Sequence, residues 1–550
     1  MSGKQALVEQ LIADGVRYVF GNPGTTEQAF LDTIGDYPEL EFILCLHEGV
    51  AVSMADAYAR ATGKPAFVQI HIAPGLGNAL GMIFNAKAGH SPLLVYAGQA
   101  SSDALLQEPI LSEDLVAMAN PLTKWAWEAR HAADIAPAVR RGMKTAEEPA
   151  QGPVFLSVPI DVMEQNAEVS IEPTSYVRWR VRPDQSAIDE AGELLSMARS
   201  PVLVVGDGIA LSSAQSEVAQ LAEMLGAPIY NGYASEVTVA QDHPLFAGAL
   251  PRGNADAPST IERILGEHDV VVAVGTPLFR FVFPQPGPVV PAHTRVVHID
   301  TDGWEIGKNL PAVLGIKSDC RAGLVSLLDN LRGRSLKGVR ERTEAITRDV
   351  DDRRRRALEA DRTGWDGPTI SAPRLMSELA SVLSDDAVIF DEATSAGAAL
   401  ARYMKLAPGR YFRARGGGIG PGMPGPVGLK LAMPDHPVVG VVSDGSAMYS
   451  ITALWTAAHH RIPVTWVICN NARYGILEQN MRDYRGDTVA DRGFVGTDLS
   501  DPPLRFAGLA ESLGVHGCRV DRLEDLRPAL EEALRLDAPA LVDVAIDSTS

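Results

Sequence analysis

Oxygen-bearing side chains follow two apolar runs in the last third of the sequence. The run VVGVV at 438–442 leads into SDGS, which contains Asp444, and the run VTWVIC at 464–469 leads into an asparagine pair that ends at Asn471. Ligands of parallel sheets collect where strands end, so the sequence predicts that Asp444 and Asn471 lie side by side. Magnesium takes such carboxylate and amide oxygens, completed by phosphates and water. A helix cap at Asp444 beside an unrelated asparagine pair is the plainer alternative.

Two further strand ends carry groups that move protons. Glu48 follows the run FILCL at 42–46 and begins a helical pattern, and His71 follows the run AFVQI. A carboxylate at a helix start is favoured by the helix dipole and needs no other role. A lone histidine is more often structural, but an imidazole titrates near neutrality and can exchange a proton with a substrate.

A glycine-dense segment, FRARGGGIGPGMPGPVG at 412–428, separates these features from the 438–442 run. Its glycines permit positive φ angles and a close approach of the backbone to a ligand. A glycine-rich connecting loop without a ligand is the alternative. At the SDGS turn, Gly445 in the same way lets the backbone approach a phosphate, and a helix N-terminus there favours negative charge.

Apolar runs separated by helical patterns must position these groups. Such alternation predicts an α/β fold whose parallel sheets have helices on both faces. Two polar stretches, near 169–186 and 331–370, divide the chain, so we place domains at 1–180, 185–345 and 365–550. The runs lie at 42–46, 66–70, 93–97, 154–158, 201–206, 270–275, 296–300, 387–390, 438–442, 464–469 and 540–546.

Composition excludes several classes of partner. The 550 residues carry a formal net charge of −20, which argues against nucleic acid or an anionic membrane surface. The basic cluster at 353–356 is flanked by acids, as on a solvated helix face. The 4 cysteines form no CxxC pair, so no zinc site or disulfide framework is indicated. No apolar run reaches ~18 residues and no signal peptide is visible, which predicts a cytoplasmic protein.

The Asp-Gly-Ser turn followed by Asn-Asn resembles the diphosphate signature of thiamin-diphosphate enzymes. That signature usually begins Gly-Asp-Gly, and here Ser443, which is small enough to keep the turn, replaces the first glycine. The resemblance implies that Asp444, Asn471 and the backbone carbonyl of Arg473 hold Mg²⁺. It also implies further contacts with thiamin diphosphate from Gly445, Ser446, Tyr449, Thr394 and Ser395.

Three other positions match the cofactor-activating residues of that family. Glu48 is expected to hydrogen-bond the aminopyrimidine ring and promote the tautomer that deprotonates the thiazolium carbon. Ile419 is expected to prop the cofactor in its bent conformation, and the carbonyl of Gly417 to accept from its amino group. An intact Glu48 argues against a catalytically inactive scaffold.

Within the family the chain resembles the benzoylformate decarboxylases over nearly its whole length. This implies pyrimidine-binding, central and diphosphate-binding domains in that order. It also implies a homo-oligomer, at least a dimer and expected to be a tetramer, in which Glu48 acts on the cofactor bound by Asp444 of the partner subunit. The matching segments are VFGNPGTTE (19–27), FVQIHIAPGLGNALG (67–81), HSPLLVYAGQ (90–99), GPVFLSVP (152–159), HDVVVAVGTPLFR (268–280) and SDGSAMYSITALWTAA (443–458).

The resemblance places His71 as the proton-transfer group and Thr25 as the hydroxyl that touches the substrate carboxylate. A second histidine of these decarboxylases is replaced by Val282, which cannot transfer protons. Arg413, if it does not face solvent or pair with an acid, would suit a polar substrate better than an aryl ring. The implied substrate pocket consists of Thr25, His71, Leu111, Val282, Arg413, Ile476 and Asn480.

The function expected from this resemblance is non-oxidative decarboxylation of a 2-oxo acid to an aldehyde, dependent on thiamin diphosphate and Mg²⁺. A carboligase or lyase that makes or splits acyloins is the alternative, which the loss of a proton donor at Val282 would favour. A nicotinamide oxidoreductase using Gly206-Asp207-Gly208 is disfavoured because the GxGxxG spacing is missing. Flavin in the central domain is likewise unsupported.

Overall fold

The structure, a computed structural model, describes residues 1–251, 256–282, 289–486 and 493–547. These residues form three parallel sheets of six strands each. All the strand pairs are parallel, and helices join the strands. The predicted fold class is therefore confirmed. The domain limits themselves stay predictions.

The first sheet has the strand order β2-β1-β3-β4-β6-β5. Its strands are β1 (Tyr18–Gly21), β2 (Glu41–Leu44), β3 (Ala66–Ile70), β4 (Leu93–Gln99), β5 (Ala126–Glu128) and β6 (Val154–Pro159). Its helices are α1 (Gly3–Ala13), α2 (Gln28–Ile34), α3 (Glu48–Thr62), α4 (Ile72–Ala88), α5 (Leu115–Ala119), α6 (Ala132–Glu147) and α7 (Ile160–Glu164). Short 3₁₀ turns occupy Thr25–Glu27, Ser102–Gln107 and Asn120–Leu122.

The central sheet has the order β12-β11-β10-β7-β8-β9. Its strands are β7 (Pro201–Val205), β8 (Ile229–Asn231), β9 (Phe246–Ala249), β10 (Val270–Val274), β11 (Arg295–Asp300) and β12 (Leu314–Lys317). Its helices are α8 (Gln185–Met197), α9 (Asp207–Leu211), α10 (Gln215–Leu225), α11 (Ala257–Leu265) and α12 (Cys320–Arg332). The long helix α13 (Val339–Asp361) follows and carries the basic cluster, where Arg353 pairs with Asp349.

The third sheet has the order β14-β13-β15-β16-β18-β17. Its strands are β13 (Val388–Glu392), β14 (Tyr411–Arg413), β15 (Val438–Ser443), β16 (Thr465–Asn470), β17 (His516–Val520) and β18 (Ala540–Ala545). Its helices are α14 (Ala372–Val382), α15 (Gly397–Tyr403), α16 (Pro424–Ala432), α17 (Asp444–Met448), α18 (Ala453–His459), α19 (Gly475–Arg485), α20 (Phe506–Ser512) and α21 (Leu523–Arg535). A 3₁₀ turn occupies Thr394–Ala396.

Each predicted apolar run coincides with a strand, and the sequence missed only short ones. These strands are three to five residues long, and several contain glycine or charged residues, so they make no apolar run. They are β1, β5, β8, β9, β12, β14 and β17. No helix among the described residues is long and apolar enough to cross a membrane.

The first and third domains share one hydrophobic core, built where α3 meets α16. Their backbones approach closely at Gly428, where a Cβ atom would lie 2.1 Å from the carbonyl oxygen of Met54. Any side chain at position 428 would have to displace one of the two helices, so the close crossing depends on this glycine.

We therefore predict that Gly428→Ala lowers stability by about 1–3 kcal/mol, because the added methyl group must separate the two helices. Gly508→Ala is the matched control, since its Cβ would meet nothing within 4 Å and alanine favours a helix interior. Thermal unfolding of both variants measures the difference. Equal melting temperatures would show that the crossing tolerates a side chain.

Candidate active site

Asp444 lies at the carboxyl edge of the third sheet, as its position after β15 predicts. Strands β15 and β16 are paired with Ser443 opposite Cys469, so Asp444 and Asn471 follow neighbouring strand ends. Asp444 is 1% exposed, and its Oδ1 accepts a hydrogen bond from the Gly445 N–H at 2.7 Å. Its Oδ2 is buried and has no hydrogen-bond partner among the described residues. A buried carboxylate oxygen without a partner is costly and fits a bound cation.

The donor set suits a hard cation. Asn471 is buried, and its Oδ1 accepts from the Arg473 N–H at 3.2 Å. Burial raises the pKa of Asp444 to about 6, against the opposing effect of backbone N–H groups, among them that of Gly445. In the part of the chain that the structure describes, no group of three or more His, Cys, Asp or Glu side chains could hold a metal. Asp444 and Asn471 therefore fit an ion such as Mg²⁺, which takes its remaining ligands from phosphate, carbonyl and water oxygens.

Gly445 has a packing role that the sequence did not predict. A Cβ atom there would lie 2.2 Å from Cε1 of Tyr474, so the tyrosine ring covers this glycine. Ser446 is buried beside it, whereas Tyr449 is largely exposed. The ring thus braces the turn that holds Asp444.

The turn after β13 reaches the same edge of the sheet. Thr394 has a positive φ of 43°, and its hydroxyl donates to the carbonyl of Glu392 at 3.4 Å. A Cβ atom on Gly475 would lie 3.2 Å from Nδ2 of Asn471 and 4.0 Å from the hydroxyl oxygen of Ser395. Ser395 and Asn471 therefore both lie close to Gly475 at this edge of the sheet.

Two side chains that the sequence did not reveal hold the glycine-rich segment. Asn85 of α4 donates from Nδ2 to the carbonyl of Gly418 at 2.8 Å, and its Oδ1 accepts from the N–H of the same glycine at 3.0 Å. Glu392 accepts from the N–H groups of Gly420 at 2.9 Å and Gly422 at 2.6 Å. Ile419 lies between these anchors. Glu392 ends β13, so the rule that located Asp444 could have found it, whereas nothing in the sequence marks Asn85.

Gly417 adopts a conformation that favours glycine. Its φ is +98°, and open space surrounds the position of its missing Cβ. The neighbouring Ile419 is half-buried. The acceptor role that the resemblance implies for the carbonyl of Gly417 stays a prediction.

Glu48 is the first residue of α3 and is only 7% exposed. Its Oε2 accepts a hydrogen bond from Nδ2 of Asn78 at 3.0 Å. A Cβ atom on Gly75 would lie 2.9 Å from the other carboxylate oxygen, so this glycine leaves room for the side chain. Glu48 is thereby fixed between α3 and α4.

His71 is oriented by a second buried carboxylate, which the sequence analysis missed. Nδ1 of His71 lies 2.8 Å from Oε2 of Glu27, a residue with 0% exposure, and 3.3 Å from the hydroxyl of Thr26. Glu27 also accepts from the Thr26 hydroxyl and the Gly98 N–H, each at 2.7 Å. A Cβ on Gly24 would overlap the imidazole ring, at 1.8 Å from Nδ1. Nδ1 of His71 is thus hydrogen-bonded to Glu27, so Nε2 is the ring nitrogen that can contact a substrate.

Thr25 is exposed, and the hydroxyl of its neighbour Thr26 contacts the imidazole ring of His71. The role predicted for Thr25 at the substrate carboxylate stays a prediction. Glu27 lies in the quoted segment VFGNPGTTE and follows β1 as Glu48 follows β2. Because β1 makes no apolar run of its own, no strand-end signal marked Glu27 in the sequence.

Arg413 pairs with an acid, which the sequence analysis named as the alternative to contact with a polar substrate. Its Nε lies 3.6 Å from Oδ2 of Asp391, which also accepts from the Tyr411 hydroxyl at 2.7 Å. Burial lowers the pKa of the Arg413 guanidinium, but Asp391 and Tyr411 together have the larger effect, so the pKa is raised above its ordinary value. The guanidinium of Arg413 is therefore already paired without a substrate carboxylate.

The remaining pocket residues lie in different surroundings. Asn480 has a buried Oδ1 with no hydrogen-bond partner in the described part of the chain, and Ile476 stands one turn before it on α19. Leu111 is exposed with a φ of 71°, and Val282 is 69% exposed. The stretch before Val282 is anchored by Phe279 and Phe281, whose rings stack at 5.8 Å.

Comparison with known sequence families matches all three domains in order. The N-terminal TPP binding domain of thiamine pyrophosphate enzymes matches residues 1–118, the central domain matches residues 188–327, and the C-terminal TPP binding domain matches residues 392–544. The chain belongs to the thiamine pyrophosphate enzyme family. Thiamine pyrophosphate is another name for thiamin diphosphate. The predicted resemblance is confirmed.

Individual relatives narrow this assignment. The chain is 35% identical to benzoylformate decarboxylase of Pseudomonas aeruginosa, over 98% of each chain. It is 28% identical to the acetolactate synthase large subunit of Haemophilus influenzae, over 100% of this chain and 95% of the relative. Among solved structures, the thiamine diphosphate-dependent 4-hydroxybenzoylformate decarboxylase of Rhodococcus jostii RHA1 superposes with a TM-score of 0.86 at 32% identity, covering 100% of both chains.

We predict that Asp444 makes magnesium binding weaken as the pH falls through about 6, because the ligand must be ionised and a proton competes with the metal. Affinity should fall about tenfold per pH unit below that pKa. Calorimetric titration of Mg²⁺ into protein saturated with thiamin diphosphate, at neutral and acidic pH, measures this.

Asp444→Asn should bind Mg²⁺ weakly and retain only the pH dependence of the diphosphate itself. Asp435→Asn, an exposed change in the same domain, should behave as the unmodified protein. If Asp444→Asn and the unmodified protein lost affinity in parallel with pH, Asp444 would not be the ligand.

Proposed function

We propose that this protein decarboxylates a 2-oxo acid without oxidation and releases an aldehyde, using thiamin diphosphate and Mg²⁺. The observation that carries the proposal is the arrangement of proton-handling groups at one edge of the first sheet. Glu48, His71 and Glu27 follow the neighbouring strands β2, β3 and β1. Similarity to the two decarboxylases supports the same reaction class.

The residues divide into holding and activating groups. Asp444, Asn471 and the carbonyl of Arg473 would hold Mg²⁺, while the turn at Ser395 and the buried Ser446 would bind the diphosphate. When bound, thiamin diphosphate supplies a carbon nucleophile and takes up the electrons released as carbon dioxide leaves. The protein contributes positions, charges and protons.

Glu48 is the carboxylate we assign to the aminopyrimidine ring nitrogen. Its burial and its bond from Asn78 fix it in one orientation, which is what a proton-transfer group requires. Ile419, held between the Asn85 and Glu392 anchors, would support the bent cofactor, and the carbonyl of Gly417 would accept from its amino group.

His71 is the group we assign to proton transfer with the substrate. The buried Glu27 accepts from Nδ1 and keeps the tautomer and ring orientation fixed, so Nε2 can give or take a proton. Thr25 would contact the substrate carboxylate with its hydroxyl. The exposed Val282 provides no second proton carrier, so His71 would serve both the protonation and the release of product.

We also propose that the active protein is a homo-oligomer, at least a dimer and expected to be a tetramer, with Glu48 acting on a cofactor bound by the partner's Asp444. Large apolar side chains exposed near the edge of the first domain support a further contact surface. Among them Leu106 is 98% and Ile110 89% exposed. Isolated apolar residues on a surface are ordinary, but neighbouring ones mark interfaces.

Carboligation is the second candidate, favoured by the valine at position 282 and by the similarity to acetolactate synthase. Val282 cannot donate a proton, so protonation at the site would depend on His71 alone, and reaction with a second aldehyde would compete better. Product analysis with a 2-oxo acid and excess aldehyde separates the two activities. If acyloin is the main product, the principal reaction is carboligation and not simple decarboxylation.

We predict that Glu48→Gln binds thiamin diphosphate but loses nearly all turnover, because an amide cannot take part in the proton transfer. Hydrogen–deuterium exchange at the thiazolium carbon should slow by at least about a hundredfold. The control is Glu41→Gln, an exposed glutamate of the same domain, which should exchange normally. Equal exchange in both variants would remove Glu48 from its assigned role.

We predict that benzoylformate is a poorer substrate than some 2-oxo acid with a hydroxyl or an aliphatic chain, and that Asn480 and Ile476 are the cause. An aryl ring would leave the buried amide of Asn480 unpaired, at a cost of about 1–3 kcal/mol. Ile476 would narrow the space for a flat ring. Values of kcat/KM across a panel of aromatic, aliphatic and hydroxylated 2-oxo acids measure the preference.

Asn480→Phe should shift that preference toward benzoylformate, whereas Gln479→Phe on the exposed side of the same helix should not. Faster turnover of benzoylformate than of every polar or aliphatic candidate by the unmodified protein would show that the pocket argument is wrong.

A further inference from the structure

One charged residue lies inside an otherwise apolar strand of the third domain. Strand β18 reads ALVDVA, and the neighbours of Asp543 in that strand, Val542 and Val544, are both buried. Asp543 is itself 1% exposed, and its Oδ2 has no hydrogen-bond partner among the residues that the structure describes. A buried carboxylate with an unpaired oxygen costs stability, and replacement of buried charged groups by apolar side chains is often neutral or stabilising. The packing of the strand therefore does not explain why position 543 is an aspartate.

The other oxygen of Asp543 connects the strands on both sides of β18. Its Oδ1 accepts a hydrogen bond from Nδ2 of Asn470, the last residue of β16, at 2.9 Å, and from Nη1 of Arg519 in β17 at 2.8 Å. Arg519 lies directly opposite Asp543 in the pairing of β17 with β18. Its Nε donates to the exposed Asp521 at 2.8 Å. Of the two carboxylates that bind Arg519, only Asp543 also holds Asn470.

The contact with Asp543 determines which way the side-chain amide of Asn470 points. The two ends of an amide have nearly the same shape, so hydrogen-bond partners select its orientation. An ionised carboxylate only accepts hydrogen bonds, so Asp543 takes the NH₂ end and the amide oxygen points the other way. That oxygen, Oδ1 of Asn470, accepts from the N–H of Ala472 at 3.2 Å.

Ala472 needs this support because its backbone is strained. Its φ is 57°, in the left-handed region that is unfavourable for a residue with a Cβ atom. A second support comes from the Leu499 N–H, which donates to the carbonyl of Ala472 at 2.9 Å. Ala472 stands between the two proposed metal ligands that follow β16, which are Oδ1 of Asn471 and the carbonyl of Arg473. A change of φ at Ala472 would redirect both of these oxygens.

We propose that Asp543 is a positioning residue for the metal site. Through Asn470 it keeps Ala472 in the left-handed conformation, and the turn then directs the oxygens of Asn471 and Arg473 toward Mg²⁺. The proposal rests on the magnesium site proposed above, in which Asp543 is not itself a ligand. Asp543 acts here as a hydrogen-bond acceptor and not through its charge.

Calorimetric titration of Mg²⁺ into protein saturated with thiamin diphosphate tests this role. Asp543→Ala removes the acceptor and should weaken Mg²⁺ binding by about tenfold or more. Asp543→Asn keeps an oxygen to which Arg519 and Asn470 can both donate, so its affinity should stay within about threefold of that of the unmodified protein. Asp521→Ala is the matched control, because it removes the exposed partner of Arg519 and leaves Asn470 in place.

The outcomes separate this role from the magnesium site itself. No binding of Mg²⁺ by the unmodified protein would refute the magnesium site and the role of Asp543 with it. Equally tight binding by the unmodified protein and Asp543→Ala would refute only the role of Asp543. Equal losses in Asp543→Asn and Asp543→Ala would show that the charge matters and not the hydrogen bond, and an equal loss in Asp521→Ala would assign the effect to Arg519. Each of these results overturns the proposal.

A double-mutant cycle shows whether Asp543 acts through Asn470. Asn470→Ala should also weaken Mg²⁺ binding, and the double variant should bind no more weakly than the weaker of the two single variants, because both changes remove the same connection. Additive losses would overturn the proposal. Melting temperatures of the metal-free proteins show whether each variant is folded. If Asp543→Ala does not fold, Asn470→Ala decides alone, and an unchanged Mg²⁺ affinity in that variant would refute the proposed connection.

Discussion

The buried guanidinium of Arg415 is the interaction on which the arrangement of the three domains depends. Arg415 is 5% exposed and reaches Asp207 and Glu236 of the central domain, with Nη2 lying 2.5 Å from Oε1 of Glu236. Its Nη1 donates to the carbonyl of Gly89 in the first domain at 2.6 Å. A charge so far from water is tolerated only if every partner stays in place, and removal of one partner leaves an uncompensated buried charge. The three domains therefore cannot shift independently at this point.

The position of Arg415 in the chain explains why this matters for the candidate site. Gly417 and Ile419 follow it closely, in a segment whose glycines leave the backbone little intrinsic preference. Arg415 fixes one end of the segment, and Asn85 and Glu392 fix its middle. A flexible sequence is thus held by side chains from other elements.

The sequence predicted those features that depend on one strand and the residue after it. Asp444, Asn471, Glu48 and His71 each follow a buried apolar run, and that local signal was sufficient to find them. The same signal was present at Glu392 but was not used, whereas Glu27 follows β1, a strand that the sequence did not predict.

Partnerships between distant elements left no such signal. The pairing of Arg413 with Asp391 follows from the adjacency of β13 and β14, which sets Asp391 opposite Arg413 in register, and short strands of this kind are hard to see in sequence. Asn85 lies inside a helix, where a polar residue usually faces solvent. Its role depends on where α4 meets a loop more than 300 residues later in the chain. The resemblance to a family supplied the cofactor, but it could not show which side chains in this chain are already paired.

The net charge of −20 opposes the approach of the proposed anionic 2-oxo acid at long range. Exposed charges are screened within about 8 Å at physiological ionic strength, so the approach of a small anion depends on the groups near the site. In the candidate site, Asp391 compensates Arg413, and Glu27 accepts from His71, so neither carboxylate faces the substrate alone. The charge that an approaching 2-oxo acid would meet therefore depends on which carboxylates near the site are paired and not on the total.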